Sequence, residues 1–171
     1  MAPSRGLRAT PIVIHYSAMI EVETTRLFTV GVFQDVAWAV KGLDALIGAG
    51  FPPESLTVIA KEGADISMLV ERTFGSAGER LDIAGIGAIL ARGPMLDALQ
   101  GSARDLPKLG LAGTMRRVGF QAHDGRIFET LTGRGGVLVA IRTEPRAADA
   151  LAILHSYGGG NAAIGAWTGK V

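Results

Sequence analysis

The chain has 171 residues, of which 48% are hydrophobic and 19% charged, with a formal net charge of +1 and no cysteine. This composition predicts one folded domain over residues 1–171 and excludes a disordered chain, a disulfide-stabilised domain and cysteine-based metal or nucleophile sites. Because only 6% of the residues are aromatic and the charge is nearly balanced, we expect no nucleic-acid partner.

The distribution of apolar residues predicts a protein without a transmembrane segment, and the absence of cysteine favours a cytoplasmic location. The most apolar internal stretch, residues 83–91, is nine residues long, whereas a membrane-spanning helix needs about 20. Arg5 and Arg8 precede an uncharged stretch, but no small-residue cleavage site of a signal peptide follows. The mean hydropathy of +0.31 indicates either a large core or an apolar surface that meets a partner.

Over residues 12–22 every even position carries an apolar or aromatic side chain, whereas the odd positions include polar ones. This period of two predicts an amphipathic N-terminal strand. Its polar face contains His15 and Ser17. A strand of this kind added to a sheet favours self-association, so we expect a homo-oligomer. The residues of the expected assembly strand are Ile12, Ile14, Tyr16, Ile20 and Val22.

The segment 26–62 that follows an N-terminal extension over residues 1–25 has the pattern of a β-α-β unit. An apolar run at 27–33 predicts a strand, and Asp35 predicts the cap of a helix whose apolar side chains recur at spacings of three and four. A second strand is predicted at 56–60. Strands joined in this way should run parallel with a right-handed crossover.

The same pattern returns over residues 135–171, as a strand at 136–142, a helix capped by Thr143 and a last strand at 162–168. An offset of 108 residues aligns the cap Asp35 with Thr143 and the helix stop Gly50 with Gly158. We therefore predict an internal pseudo-repeat of two β-α-β halves. Such halves indicate an α+β, ferredoxin-like domain with helices on one face of one sheet.

Residues 63–134, between the two halves, predict a helical middle segment. One helix should end at Gly75 and another should cover residues 121–133. In segment 83–101, Pro94 separates either two short helices or a loop and a helix, and it should lie in the first turn of the second. The small residues of this segment leave open whether it packs inside the fold or meets a membrane surface.

Three stretches of the chain carry motifs that occur in a fixed order: LFTVGVFQDVAWAVKGLDALIGAGFPPESLTVIAKE, AGIGAILARGPMLDALQG and GFQAHDGRIFETLTGRGGVLVAIRTEPRAADALAILHSYGG. Over residues 26–168 they resemble the bacterial general stress protein family, also called heat-induced stress proteins. The resemblance implies a stress-associated domain without an established catalytic mechanism, and it supplies no catalytic residues. Only residues 75–80 stand where many members carry a long glycine/alanine-rich zipper, and strand 12–22 lies outside the resemblance.

No metal or cofactor site is predicted. His15, His123 and His155 are far apart and form no metal-ligand spacing. The pair Gly85 and Gly87 lacks the third glycine of a dinucleotide-binding loop, because Leu90 occupies its position.

The leading hypothesis is a non-catalytic, stress-associated module that acts through self-assembly or protein interaction. The alternative is a regulatory or sensor domain for a small molecule or an anion, bound where loops meet. The candidate ligand-binding residues are Gly85, Gly87, Gly93, Arg116 and Arg117. An enzyme that uses His15 or His123 as a general base is the least favoured hypothesis.

Overall fold

The computed structural model describes residues 28–142 and 146–158. Within these ranges the chain has a mixed α+β fold, as predicted, with one five-stranded sheet and six helices. The strands are β1 (Phe28–Phe33), β2 (Leu56–Lys61), β3 (Glu79–Ile83), β4 (Gly87–Arg92) and β5 (Val137–Arg142). The helices are α1 (Val36–Gly48), α2 (Ala64–Phe74), α3 (Pro94–Gln100), α4 (Leu106–Arg117), α5 (Ala122–Gly133) and α6 (Ala147–Ser156).

The sheet has the order β1-β5-β2-β4-β3, and all neighbouring strands are antiparallel. Because β1 and β2 both pair antiparallel with β5, they run in the same direction, as predicted for the first β-α-β unit. They are not neighbours, however, since β5 lies between them. The predicted strands at 12–22 and 162–168 and the cap Thr143 lie outside the described residues, so the second half and the pseudo-repeat stay predictions.

The helix boundaries that depend on local chemistry agree with the sequence. The Asp35 carboxylate accepts a hydrogen bond from the backbone amide of Trp38 at 2.9 Å and caps α1. Helix α2 ends at Gly75, which adopts the left-handed conformation with φ of 72°. Pro94 is the first residue of α3, where its missing amide hydrogen is not needed. These ends are therefore fixed by residues within one turn of the helix.

The prediction of a wholly helical middle segment is wrong for residues 79–92, which form the β3–β4 hairpin. Ile83, Ile89 and Ala91 lie in the core on one side of this hairpin, and Leu90 lies on the other. The hairpin forms because β4 pairs with β2, which supplies hydrogen-bond partners that the local pattern does not reveal. The large apolar side chains of segment 83–101 are buried in the fold, whereas Ala84 and Ala88 are exposed.

Helices cover both faces of the sheet, so the prediction of helices on one face is also wrong. The face packed against α3, α4 and α5, here called the α5 face, includes Val30, Ile59, Ile89 and Leu138. The face packed against α1, α2 and α6, here called the α1 face, includes Phe33, Leu56, Val58 and Val139. All six residues of β1 are buried. Within the described ranges, no open sheet face is left to drive self-association.

The length and hydropathy of the described helices bear on whether one of them could span a membrane. None of them is long and apolar enough to cross a membrane.

Candidate functional site

The glycines predicted to hold a ligand lie at opposite ends of β4. Gly85 and Gly87, with φ of 88° and 100°, form the turn of the β3–β4 hairpin. Gly93 follows the other end of this six-residue strand, roughly 20 Å away. A Cβ atom on Gly93 would overlap the backbone of Leu56 and Thr57, so the residue allows α3 to start close against β2. The structure does not bring these glycines together.

Arg117, which we expected to bind an anion, already has internal partners. Its guanidinium forms a salt bridge with Asp105 at 2.7 Å and donates a hydrogen bond to the Leu99 carbonyl oxygen, also at 2.7 Å. The side chain thus ties the end of α4 to the loop between α3 and α4. Arg116 is exposed, and no salt bridge is described for it.

The two histidines of the described ranges lie on different helices. His15 is outside the described residues, His155 is in the last turn of α6, and His123 is in the first turn of α5. No group of three or more metal-ligating side chains occurs in the described part of the chain. His123 lines a cavity near the end of β1.

A cavity of about 600 Å³ opens between the end of β1 and one side of α5. Residues 32–34, the side of α5 from His123 to Leu131, residues 134 and 136, and Gly158 line this β1–α5 cavity. Its volume falls within the range of about 300–1,000 Å³ that is typical of small-molecule sites. The cavity brings together His123, Arg126 and Arg134, which the sequence did not predict to lie at one site.

The helical repeat of α5 explains which side chains enter the cavity. Residues spaced three and four apart lie on one side of a helix, and this side carries Arg126, Ile127, Thr130 and Leu131. The adjacent side of the helix carries Phe128, which is 1% exposed and packs in the core of the α5 face. Burial of Phe128 therefore fixes the rotation of α5 and directs the other side towards the cavity.

Gly136 holds the wall of the cavity close to the helix. Its amide donates a hydrogen bond to the Leu131 carbonyl oxygen at 2.9 Å, which closes the end of α5. A Cβ atom on Gly136 would lie 2.7 Å from Cγ1 of Val32 and 2.8 Å from the Leu131 oxygen. Because real Cβ contacts are longer, only glycine lets the chain pass here without displacing β1 or α5. Arg134, two residues earlier, lies at the rim.

The side chains at the cavity carry positive charge without compensation. The charged side chains are those of Arg126 and Arg134; His123 also lines the cavity, and no aspartate or glutamate is among the described lining residues. Five other arginines of the described chain form salt bridges, whereas Arg92, Arg116 and Arg142 have none described; the paired ones are Arg72, Arg80, Arg104, Arg117 and Arg146. No salt bridge is described for Arg126 or Arg134, so their charges are free to attract an anion.

Glu129, the acidic residue of α5 that lies between the two arginines in sequence, is directed elsewhere. The carboxylate of Glu129 accepts a hydrogen bond from the Ala112 amide of α4 at 3.0 Å. Helix α5 thus presents an acceptor to α4 and cations to the cavity. This separation of charge keeps a carboxylate out of the β1–α5 cavity.

The floor of the cavity is apolar and part of the core. Val32 is 5% exposed and belongs to the core of the α5 face, against which Leu131 packs. Phe33 lines the cavity at the end of β1, but its side chain packs in the core of the α1 face. Burial of these side chains makes the floor rigid. A ligand with an apolar body and an anionic head would therefore find complementary surfaces for both parts.

Arg126, Arg134, Val32 and Leu131 were absent from the candidates chosen from sequence. The side of α5 could have been found, because arginine, isoleucine and leucine at 126, 127 and 131 share one helix face. The opposite wall could not, since β1 comes near α5 only through the fold.

A scan of protein-family models and searches of curated proteins and of solved structures give no match to this chain. The resemblance to the general stress protein family stays a prediction from its motifs.

Proposed function

We propose that the chain is a non-catalytic regulatory domain that binds a small molecule in the β1–α5 cavity. The observation that carries the proposal is the cavity itself, in which unpaired cations surround a buried apolar floor. A ligand seated there would contact β1, α5 and the α5–β5 connection at once. Its binding would stabilise the packing of α5 on the sheet, so occupancy would be coupled to the stability of the domain.

The two covered faces of the sheet bear on the choice between self-assembly and ligand binding. Self-assembly was expected partly because a ferredoxin-like sheet leaves one face open. In the described residues both faces are covered by helices of the same chain, which removes that argument. Assembly through strand 12–22, association with stress and a cytoplasmic location stay proposals that rest on the sequence.

The ferredoxin-like arrangement also stays a proposal. Its support is that β5 lies between β1 and β2, which run in the same direction, and that α1 and α6 pack on the same face. This is the order of one split β-α-β unit.

The test of the proposed function is a thermal-shift screen of the full chain against metabolite-like compounds, with hits verified by calorimetry. A ligand that binds the native state raises the melting temperature. The variant Ile127→Trp should fill the cavity and abolish the shift. The matched control is Ile47→Trp on α1, where the side chain is 39% exposed on the other side of the sheet.

If Ile127→Trp fails to fold, Thr130→Phe at an exposed position of the cavity replaces it. Hits that shift the wild type, Ile127→Trp and Thr130→Phe equally would contradict the proposed site.

A further inference from the structure

The lining of the β1–α5 cavity also defines the chemistry of its ligand. Arg126 and Arg134 are both exposed at the rim, whereas Val32 below them is buried and Ile127 and Leu131 are half-buried. The cavity therefore has a polar, positively charged mouth and an apolar interior. This gradient determines the orientation of a bound ligand, because its anionic head stays at the solvent boundary while its apolar body replaces water at the floor.

The charge of the mouth selects against other classes of small molecule. A cationic ligand would meet like charges on Arg126 and Arg134, and no lining carboxylate is described that could offset them. A neutral ligand would use the floor but leave both guanidinium groups without a partner. A carboxylate or a phosphate can accept paired hydrogen bonds from a guanidinium, which fixes its position as well as its charge.

We propose that the ligand of the β1–α5 cavity is an amphipathic organic anion, with a carboxylate or phosphate head held by Arg126 and Arg134. Its apolar body lies against Val32, Ile127 and Leu131. This inference rests on the proposed function and narrows it to one ligand class. The two arginines decide which head group is accepted, and the apolar floor contributes most of the affinity, because exposed ion pairs are weak.

The experiment is a calorimetric titration of the full chain with ligands that share one eight-carbon body and differ in the head. The probes are octanoate, octyl phosphate, octanol and octylammonium, with acetate and inorganic phosphate as heads without a body. We expect octanoate or octyl phosphate to bind at least about tenfold more tightly than acetate or inorganic phosphate, because the body adds apolar contact. Octanol and octylammonium should bind more weakly than the anions.

Variants then connect the head group to the two arginines. Arg126→Gln and Arg134→Gln should each weaken binding of the octyl anions by about threefold and leave octanol unchanged. The matched control is Arg116→Gln. Arg116 is also exposed and has no described salt bridge, but it does not line the cavity. Higher salt should weaken the anions more than octanol, since screening acts on exposed charges.

The possible outcomes separate the ligand class from the proposed function. If octyl phosphate or octanoate binds more tightly than octanol and octylammonium, the ligand class of amphipathic anions is supported, and the tighter of the two anions identifies the head group. If octanol binds as tightly as the anions, or if the double variant Arg126→Gln/Arg134→Gln binds the anions unchanged, the class is wrong while the cavity remains a binding site. If Ile127→Trp and Thr130→Phe bind all probes like the wild type, the proposed function itself is wrong.

Discussion

The Glu129 side chain of α5 accepts a hydrogen bond from the backbone amide of Ala112 in α4, with 3.0 Å between the two atoms. Gly110, two residues before Ala112, interrupts α4 with φ of 82° and ψ of 169°. The helix restarts after this residue, and the first amides of the new segment have no carbonyl partner within the helix. Glu129 therefore caps a helix segment from a neighbouring helix.

Replacement of Glu129 by alanine should lower the free energy of unfolding by about 1 kcal/mol, the usual cost of losing a helix cap. For a chain of this length that corresponds to a fall in melting temperature of about 2–4 °C. Chemical denaturation monitored by circular dichroism measures the change. Glu129→Gln retains an acceptor oxygen and should lose clearly less, so equal losses in the two variants would contradict the capping role.

Gly93 should tolerate no side chain. Its φ of 127° is unfavourable for other residues, and a Cβ atom there would overlap the backbone of Leu56 and Thr57. We expect Gly93→Ala to lower the free energy of unfolding by at least about 3 kcal/mol, because strain and overlap add.

The matched control for Gly93 is Gly48→Ala in α1, where no atom lies within 4 Å of the added methyl group. This variant should be neutral or stabilising by up to about 1 kcal/mol, since alanine favours helices over glycine. Comparable losses at both glycines would show that the close approach of α3 to β2 is not what Gly93 provides.

The parts of the fold that could be predicted are those set by local chemistry. Asp35 caps α1 and Gly75 ends α2, and both effects act within a few residues of the helix end. The β3–β4 hairpin was missed because its strands are short, β3 is rich in charged residues and β4 in small ones. Its stability comes from the pairing of β4 with β2, for example Ile59 opposite Ala91, and that pairing is not visible in a local pattern.

Prediction of the candidate site was limited in the same way, because contacts within a helix could be predicted and contacts between distant parts of the chain could not. One side of the β1–α5 cavity follows the helical repeat of α5, so Arg126 and Ile127 could be placed on one face from sequence. The other side depends on the pairing of Val32 with Leu138, which are more than a hundred residues apart. The glycines chosen from sequence have a structural explanation instead, since Gly85 and Gly87 form a turn with positive φ.

Thr57 links the sheet to α3 through a buried hydrogen bond. Its hydroxyl accepts from the Met95 amide at 2.9 Å, and the two residues are 0% and 1% exposed. Thr57→Val keeps the shape of the side chain but leaves this amide without a partner, which should cost about 1–3 kcal/mol. Hydrogen exchange of the Met95 amide provides the direct readout and should become faster relative to its neighbours.

Thr57→Ser is the control for that prediction, because it retains the hydroxyl and removes one methyl group. It should cost about 0.8 kcal/mol from lost apolar burial and leave the exchange of the Met95 amide close to that of the wild type. Faster exchange in the serine variant than in the valine variant would contradict the proposed hydrogen bond.

Self-association, if it occurs, must use a surface other than an open sheet face. The described residues bury both faces, and the exposed edge strand β3 carries the charged side chains Glu79, Arg80 and Asp82, which disfavour pairing with another sheet. β1 is the other edge strand of the described sheet, and the expected assembly strand at 12–22 stays the candidate taken from the sequence. We expect the full chain to show a native mass above that of a monomer, and a chain that begins at Thr25 to be monomeric, when both are measured by light scattering at micromolar concentrations. Circular dichroism of the shorter chain verifies that it is folded. Monomeric masses for both chains that do not change with concentration would overturn the assembly prediction and leave ligand binding as the remaining proposal.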